Sequence, residues 1–229
     1  MSNSDFFNKA FRMSGPKFIK GFSRPLYHNI AGILYGHQFD NKGYGGMLRS
    51  TEGAMLYLWA RMLPENATIV EIGSYAGLST SYLAKGCKDN NSKVIAMDPY
   101  DSDLEKQAER TDHEVLLEDK PSRQSVLNKL KAHGLGDRVE LIEGYSQEVV
   151  KTWDSPIDFL WIDGNHDQAY QDYVDWSPFL TSKARVGLHD AHPRYGLSRV
   201  AEDARKIFSS DKWTNLEHVK GIITGVLKS

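Results

Sequence analysis

Residues 68–87 read Thr-Ile-Val-Glu-Ile-Gly-Ser-Tyr-Ala-Gly-Leu-Ser-Thr-Ser-Tyr-Leu-Ala-Lys-Gly-Cys, and the architecture of the chain can be inferred from them. The apolar run around Glu71 is typical of a short buried strand. Gly73 and Gly77 then bracket a turn, and apolar residues recur at helical spacing from Leu78 onward. The stretch therefore predicts a strand, a glycine turn and a helix.

This turn is suited to a nucleotide-like ligand. Glycine lets a ligand approach the backbone closely, and the N–H groups at the start of the next helix favour an acceptor-rich group. The next apolar run, residues 94–97, ends at Asp98, where a carboxylate at a strand tip can bind ribose hydroxyls. A dinucleotide is disfavoured, because Tyr75 stands where the pyrophosphate-binding motif needs its second glycine.

The segment Glu71-Ile-Gly-Ser-Tyr-Ala-Gly-Leu-Ser79 resembles the first motif of class I S-adenosylmethionine-dependent methyltransferases, most closely the small-molecule O-methyltransferases that include the catechol type. The resemblance implies a Rossmann-like α/β fold, with a doubly wound, mainly parallel sheet, an antiparallel final strand and helices on both faces. It also implies a set of cofactor-binding residues: Glu71, Gly73, Ser74, Tyr75, Gly77, Ser79, Asp98, Ser146 and Asp163.

Two later strands are predicted to end in clusters of carboxylate and imidazole groups. Residues 157–162 precede Asp163-Gly-Asn-His166, and residues 185–188 precede His189-Asp190. Because the carboxyl ends of parallel strands share one edge of a sheet, both clusters should face the glycine turn. The region from about residue 45 to 192 also resembles bacterial antibiotic-tailoring and sugar O-methyltransferases.

A general base is expected in this second region. Transfer of a methyl group to oxygen requires alignment of the two reactants and removal of the hydroxyl proton. His166 lies three residues after Asp163, where catechol-type relatives carry a basic lysine, and an imidazole can accept a proton near neutral pH. The resemblance and the chemistry together predict His166 as general base, with Asp163 and Asp190 beside it.

A divalent metal is the second cofactor to consider, besides S-adenosylmethionine. In metal-dependent relatives the ligands correspond to Asp163, His189 and Asp190, and a metal would bind the substrate oxygen and lower its pKa. The nitrogen of His189 disfavours magnesium and suits manganese, iron or zinc better. In an enzyme without metal, Asp190 would instead orient His166 or the substrate.

Composition limits the classes of partner. The chain has 229 residues, a net charge of −2 and one cysteine, Cys87. This charge gives no reason to expect a nucleic-acid partner, and one cysteine fits a reducing cytosol. No run approaches the roughly eighteen apolar residues of a membrane span. We expect a cytoplasmic enzyme with a small-molecule substrate, and the sequence leaves a homo-oligomer open.

The chain divides into an arm and one domain. Residues 1–45 are rich in aromatic and basic side chains and predict an arm or a substrate lid, although a subunit contact or a membrane surface would also use such residues. Residues 46–229 form the predicted methyltransferase domain. Within it, helices are predicted over 50–63, 125–133 and 170–180, and two antiparallel strands end the sequence.

Three functions compete on sequence grounds. The leading hypothesis is methyl transfer to a hydroxyl of a sugar or natural product. A nicotinamide-dependent reductase shares the strand-turn-helix opening, but Tyr75 and the antiparallel final strands disfavour it. The third hypothesis is a binding or structural protein that kept the fold and lost catalytic activity. The sequence also leaves open whether the methyl acceptor is oxygen or nitrogen.

Overall fold

The computed structural model describes residue 46 and residues 48–100, 121–194 and 196–229. The predicted arm over 1–45 and the charged stretch over 101–120 lie outside the described residues. Six α-helices and seven strands are described: α1 Ser50–Arg61, β1 Thr68–Ile72, α2 Leu78–Cys87, β2 Lys93–Asp98, α3 Arg123–Ala132, β3 Val139–Glu143, α4 Ser146–Val149, β4 Ile157–Ile162, α5 Ala169–Trp176, β5 Leu180–Leu188, α6 Ser198–Phe208, β6 Trp213–Val219 and β7 Ile222–Leu227.

The strands form one twisted sheet in the order β3-β2-β1-β4-β5-β7-β6. Strands β1 to β5 run parallel, and β7 runs antiparallel to both β5 and β6. The chain passes from β3 at one edge to β4 beside β1, so the strand order reverses between β1 and β4. Ligands of open α/β sheets bind at such a switch point. The predicted doubly wound sheet with an antiparallel end is confirmed.

Helices cover both faces of the sheet, as expected for parallel strands. Alternate residues of β1 show this clearly, because Ile69 packs into a core with α1, α2 and α3, while Val70 packs into a second core with α5 and α6. Strand β4 alternates likewise, with Phe159 and Trp161 on the first side and Leu160 and Ile162 on the second. The strands that carry the predicted site are therefore held from both sides.

The largest boundary error concerns β5. The sequence predicts a helix to residue 180 and a strand from 185, whereas α5 ends at Trp176, a 3₁₀ turn follows and β5 begins at Leu180. Its first half is polar and partly exposed, which resembles a loop in sequence. Pairing with β4 determines its conformation, since Leu180 pairs with Ile157 and the Thr181 hydroxyl donates a hydrogen bond to Asp158.

The predicted ends of the other helices differ from the observed ends by one or two residues. Helix α1 ends at Arg61, two residues before the predicted end. Helix α3 begins two residues earlier than predicted, because Ser122 caps it and accepts a hydrogen bond from the Ser125 N–H. Within the described part of the chain, none of these helices has both the length and the apolar character needed to span a bilayer.

Candidate active site

The carboxyl ends of three neighbouring strands form the candidate site. Ile72 of β1 pairs with Ile162 of β4, which pairs with Leu188 of β5, so the residue after each strand reaches the same edge. The backbone locks this arrangement, since the Asp163 N–H donates to the Ile72 carbonyl at 2.8 Å and the His189 N–H donates to the Ile162 carbonyl at 3.1 Å. The sheet therefore brings the glycine turn and both predicted clusters together.

The glycine turn is fixed by close backbone contacts. Gly73 has a φ of +88°, and a Cβ there would lie 2.4 Å from the carbonyl oxygen of Asp163. Gly77 begins α2 with a φ of +85°. Only glycine fits at position 73 without moving the chain that carries Asp163. The glycine turn and the loop after β4 therefore pack directly against each other at this residue.

We expect Gly73→Ala to destabilise the protein by at least about 2 kcal/mol, because a left-handed backbone and an overlap with main-chain atoms act together. A melting curve should show a Tm lower by about 5 °C or more. Gly144→Ala is the matched control, since a Cβ there would meet Val149 at an ordinary 3.5 Å. Equal melting temperatures for both variants would show that the turn can yield at Gly73.

Asp98 organises the far side of the turn. Its side chain accepts hydrogen bonds from the N–H of Tyr75 at 2.8 Å and from the N–H of Tyr100 at 3.0 Å. A hydrogen bond of 2.7 Å joins the hydroxyls of Tyr100 and Ser74 across the turn. Since a carboxylate can accept about four hydrogen bonds, one such group can hold both a turn and a ribose. The sequence prediction included Ser74, Tyr75 and Asp98 but missed Tyr100.

Glu71 lies beneath the turn and is fully buried. One carboxyl oxygen accepts a 2.5 Å hydrogen bond from the Ser79 hydroxyl, while Oε2 has no hydrogen-bond partner among the described residues. Burial raises the pKa of Glu71 to about 8, so the group is mostly neutral at pH 7. The structure thus places Glu71 and Ser79 behind the turn, where they support its backbone.

Ser146, the first residue of α4, is buried and donates a hydrogen bond to the carboxylate of Asp172 on α5. Burial raises the pKa of Asp172 to about 6. The neighbouring Tyr145 is 46% exposed and stands at the same sheet edge as Asp98. Asp172 was not predicted from the sequence, because it lies inside a helix, where no strand end indicates that it meets Ser146.

The three residues predicted as metal ligands meet in the structure. Ligand atoms of Asp163, His189 and Asp190 all lie within 4.8 Å of one another. His189 Nδ1 is 3.0 Å from Asp163 Oδ1 and 3.5 Å from Asp190 Oδ2. Neighbouring ligands of an octahedral ion with bonds of about 2.1 Å lie about 3 Å apart, so this spacing fits a small divalent cation. Two carboxylates and one imidazole suit manganese, iron or zinc.

Charges in this cluster are strongly coupled. Burial disfavours the imidazolium form of His189, but the neighbouring carboxylates outweigh it and hold its pKa far above the ordinary value. Burial likewise opposes ionisation of Asp190, yet hydrogen bonds to His166 and His189 hold its pKa well below the usual range. The carboxylates of the cluster thus favour the protonated form of His189, and His189 favours the ionised form of Asp190.

His166 lies on the open side of the cluster. Its Nε2 is 3.4 Å from Asp190 Oδ2, and about a third of its side chain is exposed. The hydrogen bond to Asp190 raises the pKa of His166 despite partial burial. Asp190 is itself fixed, because its backbone has a φ of +48° and its carbonyl accepts a 2.7 Å hydrogen bond from the Leu197 N–H. His166 is therefore partly open to solvent while its ring contacts Asp190.

Glu52 is the functional candidate that sequence analysis missed. It occupies the first turn of α1, is fully buried, and places Oε2 3.6 Å from His189 Nε2. Burial opposes its ionisation, but His189 and the backbone N–H groups of Arg49 and Gly221 lower the pKa of Glu52 below its ordinary value. An acidic residue in a first helical turn is common in sequences and gave no signal of this contact.

A protein-family model described as a methyltransferase domain matches residues 70–191, more than half of the chain. The matched region contains the glycine turn, Asp98 and the whole cluster around His189. It stops short of the β6–β7 pair, and Glu52 precedes it.

Solved structures with the same fold have low sequence identity to this chain. A putative caffeoyl-CoA O-methyltransferase from Staphylococcus aureus has a TM-score of 0.62 and 17% identity, over 89% of this chain and 100% of that one. The methyltransferase PaMTH1 from Podospora anserina, bound to S-adenosylhomocysteine, has a TM-score of 0.61 and 17% identity, over 93% and 100%. The O-methyltransferase TomG from Streptomyces achromogenes, bound to S-adenosylmethionine, has a TM-score of 0.58 and 16% identity, over 100% and 97%.

Proposed function

This chain belongs to the methyltransferase domain family, and we propose that it transfers a methyl group from S-adenosylmethionine to a hydroxyl of a small molecule such as a sugar or natural product. The family and the class I fold agree with the sequence-based prediction. The observation that carries the proposal is the position of His166 and the cluster of Asp163, His189 and Asp190, which lie on the strand edge beside the glycine turn.

The glycine turn and Asp98 would hold S-adenosylmethionine, which supplies the methyl group as a sulfonium. Gly73 keeps the backbone bare where the cofactor would approach, and Ser74 is tied to Tyr100 so that the turn keeps its shape. Asp98 would accept hydrogen bonds from the ribose hydroxyls. Two of the similar structures are described as bound to S-adenosylmethionine or S-adenosylhomocysteine, which supports this choice of cofactor.

Oxygen is the acceptor that best fits the cluster. A hydroxyl is a poor nucleophile until its proton is removed, and His166 offers a ring nitrogen in a partly exposed position for that purpose. In an enzyme without metal, Asp190 would orient the ring and stabilise the imidazolium that results. An amine acceptor would need less help with proton removal, and so much acid–base machinery would be unnecessary.

We further assign a divalent manganese, iron or zinc ion to Asp163, His189 and Asp190. A bound metal would polarise the substrate oxygen and make its proton easier to remove. The ion would lie at the shared edge of the two strands, since Asp163 follows β4 and the other two proposed ligands follow β5. His166 stands next to this position and would receive the proton.

The class of substrate is inferred from the site and from similar proteins. The structure of TomG is described as that of an enzyme of tomaymycin synthesis, and the S. aureus protein is described as a putative caffeoyl-CoA O-methyltransferase. Both descriptions refer to small molecules. We therefore expect this chain to act on a hydroxylated small molecule.

Calorimetric titration of the metal-stripped protein with S-adenosylhomocysteine tests the cofactor. We expect micromolar binding, and we expect Asp98→Ala to weaken it at least about tenfold, because hydrogen bonds to a charged group contribute about 1.5–3 kcal/mol. Asp211→Ala, at an exposed turn, is the matched control and should bind like the parent.

Acceptors can then be found by measuring release of S-adenosylhomocysteine from S-adenosylmethionine with a panel of catechols, sugars and nucleotide sugars, with and without Mn²⁺. A parent protein that binds NADH and not S-adenosylhomocysteine would contradict the proposed function. Turnover with amines and none with hydroxyl compounds would contradict the assignment of oxygen as acceptor.

A further inference from the structure

Glu52 is a fully buried carboxylate at the back of the proposed metal site. Its Oε2 accepts a 2.8 Å hydrogen bond from the Arg49 N–H, and its Oε1 accepts a 2.7 Å hydrogen bond from the N–H of Gly221, in the turn between β6 and β7. The first contact belongs to the cap of α1. The second spans 169 positions of the chain and is not needed to start a helix. Together they hold the carboxylate rigidly in one orientation.

That orientation points Glu52 at His189. Oε2 lies 3.6 Å from His189 Nε2, and Nε2 has no hydrogen-bond partner among the described residues. The other ring nitrogen, Nδ1, faces Asp163 and Asp190 at 3.0 and 3.5 Å. The imidazole ring therefore stands between Glu52 on one side and the two carboxylates of the proposed metal site on the other.

We propose that Glu52 is a positioning residue that keeps the proton of His189 on Nε2 and presents Nδ1 to the metal. A metal-bound histidine must be unprotonated on the ligating nitrogen, and a carboxylate beside its second nitrogen fixes both the tautomer and the ring orientation. The inference rests on the metal site of the proposed function. It adds that Nδ1 is the ligand atom and that a residue of α1, over a hundred positions earlier, controls it.

The same contact couples the metal site to two distant elements. Glu52 joins the start of α1 to the β6–β7 turn, and the carbonyl of Gly221 in that turn also accepts a 2.8 Å hydrogen bond from the Ala191 N–H, next to Asp190. Movement of the turn would shift Glu52 and the ligand loop together. The positions of the proposed metal ligands therefore also depend on α1 and on the β6–β7 turn, and not on β4 and β5 alone.

Titration with Mn²⁺, followed by calorimetry and by the electron paramagnetic resonance signal of the unbound ion, tests this role without turnover. We expect Glu52→Gln to weaken Mn²⁺ binding about 10- to 100-fold, which is typical when the carboxylate behind a metal-bound histidine is lost. In a His189→Asn background, adding Glu52→Gln should change the affinity by less than about threefold, since Glu52 would act through His189.

Arg49→Ala is the matched control for the helix cap. It removes the guanidinium contact to Glu52 Oε1 at 3.3 Å and leaves the Glu52–His189 pair in place, so Mn²⁺ binding should stay near that of the parent. A Glu52→Gln protein that binds Mn²⁺ as tightly as the parent would overturn the inference. An equal loss of affinity with and without the His189 side chain would do the same.

A parent protein that binds S-adenosylhomocysteine but no Mn²⁺ would overturn this inference and the metal assignment, and would leave the proposed methyl transfer standing. Should Glu52→Gln fail to fold, ¹⁵N NMR of the parent loaded with Zn²⁺ decides the question. We expect binding of Zn²⁺ to change the ¹⁵N chemical shift of His189 Nδ1, and we expect Nε2 to keep its proton. Coordination through Nε2 would contradict the proposal.

Discussion

Replacing His166 by alanine should slow methyl transfer by about a hundredfold or more while leaving S-adenosylhomocysteine binding within about twofold of the parent. The physical reason is that His166 contacts Asp190, whereas the glycine turn and Asp98, which we propose to hold most of the cofactor, follow β1 and end β2. A factor of a hundred corresponds to about 2.7 kcal/mol of lost transition-state stabilisation. The measurements are kcat with the acceptor found by the panel, and calorimetry with S-adenosylhomocysteine.

His133→Ala is a suitable control for this experiment. His133 is an exposed histidine at the end of α3, where its ring contacts the carbonyl of Lys129, and its loss should leave kcat unchanged. If His166→Ala turned over at the rate of the parent, His166 would have no part in proton removal. If the variant also lost cofactor binding, the side chain would belong to the cofactor site instead.

The second large effect concerns stability and involves Glu71. Its pKa rises from 4.5 to about 8 in the folded protein because the carboxyl is fully buried. The folded protein therefore binds a proton at Glu71 more tightly than the unfolded chain does. The contribution of Glu71 to the free energy of unfolding is complete below about pH 4.5 and is lost as the pH rises towards 8. A shift of this size corresponds to about 4–5 kcal/mol, at 1.36 kcal/mol for each pH unit.

Glu71→Gln removes that dependence, because an amide does not ionise. Urea unfolding of parent and variant at several pH values between 4 and 8.5 should show the difference in free energy of unfolding shifting by a few kcal/mol in favour of the variant as the pH rises. Glu140→Gln is the control, because Glu140 is exposed on β3 and its replacement removes no buried carboxyl. A difference that stays constant with pH would mean that Glu71 is ionised in the folded protein.

The fold and the meeting of the two predicted side-chain clusters could be inferred from local patterns. The strand-turn-helix of residues 68–87 follows from the spacing of apolar residues and glycines within twenty positions, and the strand 157–162 is observed with the predicted bounds. The meeting of Asp163 with His189 follows from a general property of parallel sheets, whose strand ends share one edge. No knowledge of distant contacts was needed for these predictions.

What the sequence did not reveal depends on contacts between distant segments. Glu52 looks like an ordinary residue of a first helical turn until Gly221 and His189 approach it from the far end of the chain. Tyr100 becomes part of the glycine turn only through its hydroxyl contact with Ser74. The burial of Glu71 was equally hidden, because a carboxylate within an apolar run can face either solvent or the protein interior.

The position of β7 has a consequence for how the protein is made. The ribosome synthesises the β6–β7 hairpin after the other five strands, yet β7 lies inside the sheet between β5 and β6. Until this hairpin emerges, β5 is an uncovered sheet edge, and Glu52 and Ala191 lack their Gly221 partner. We expect the nascent chain to need protection at that edge, and the proposed metal site to be complete only when the hairpin has closed the sheet.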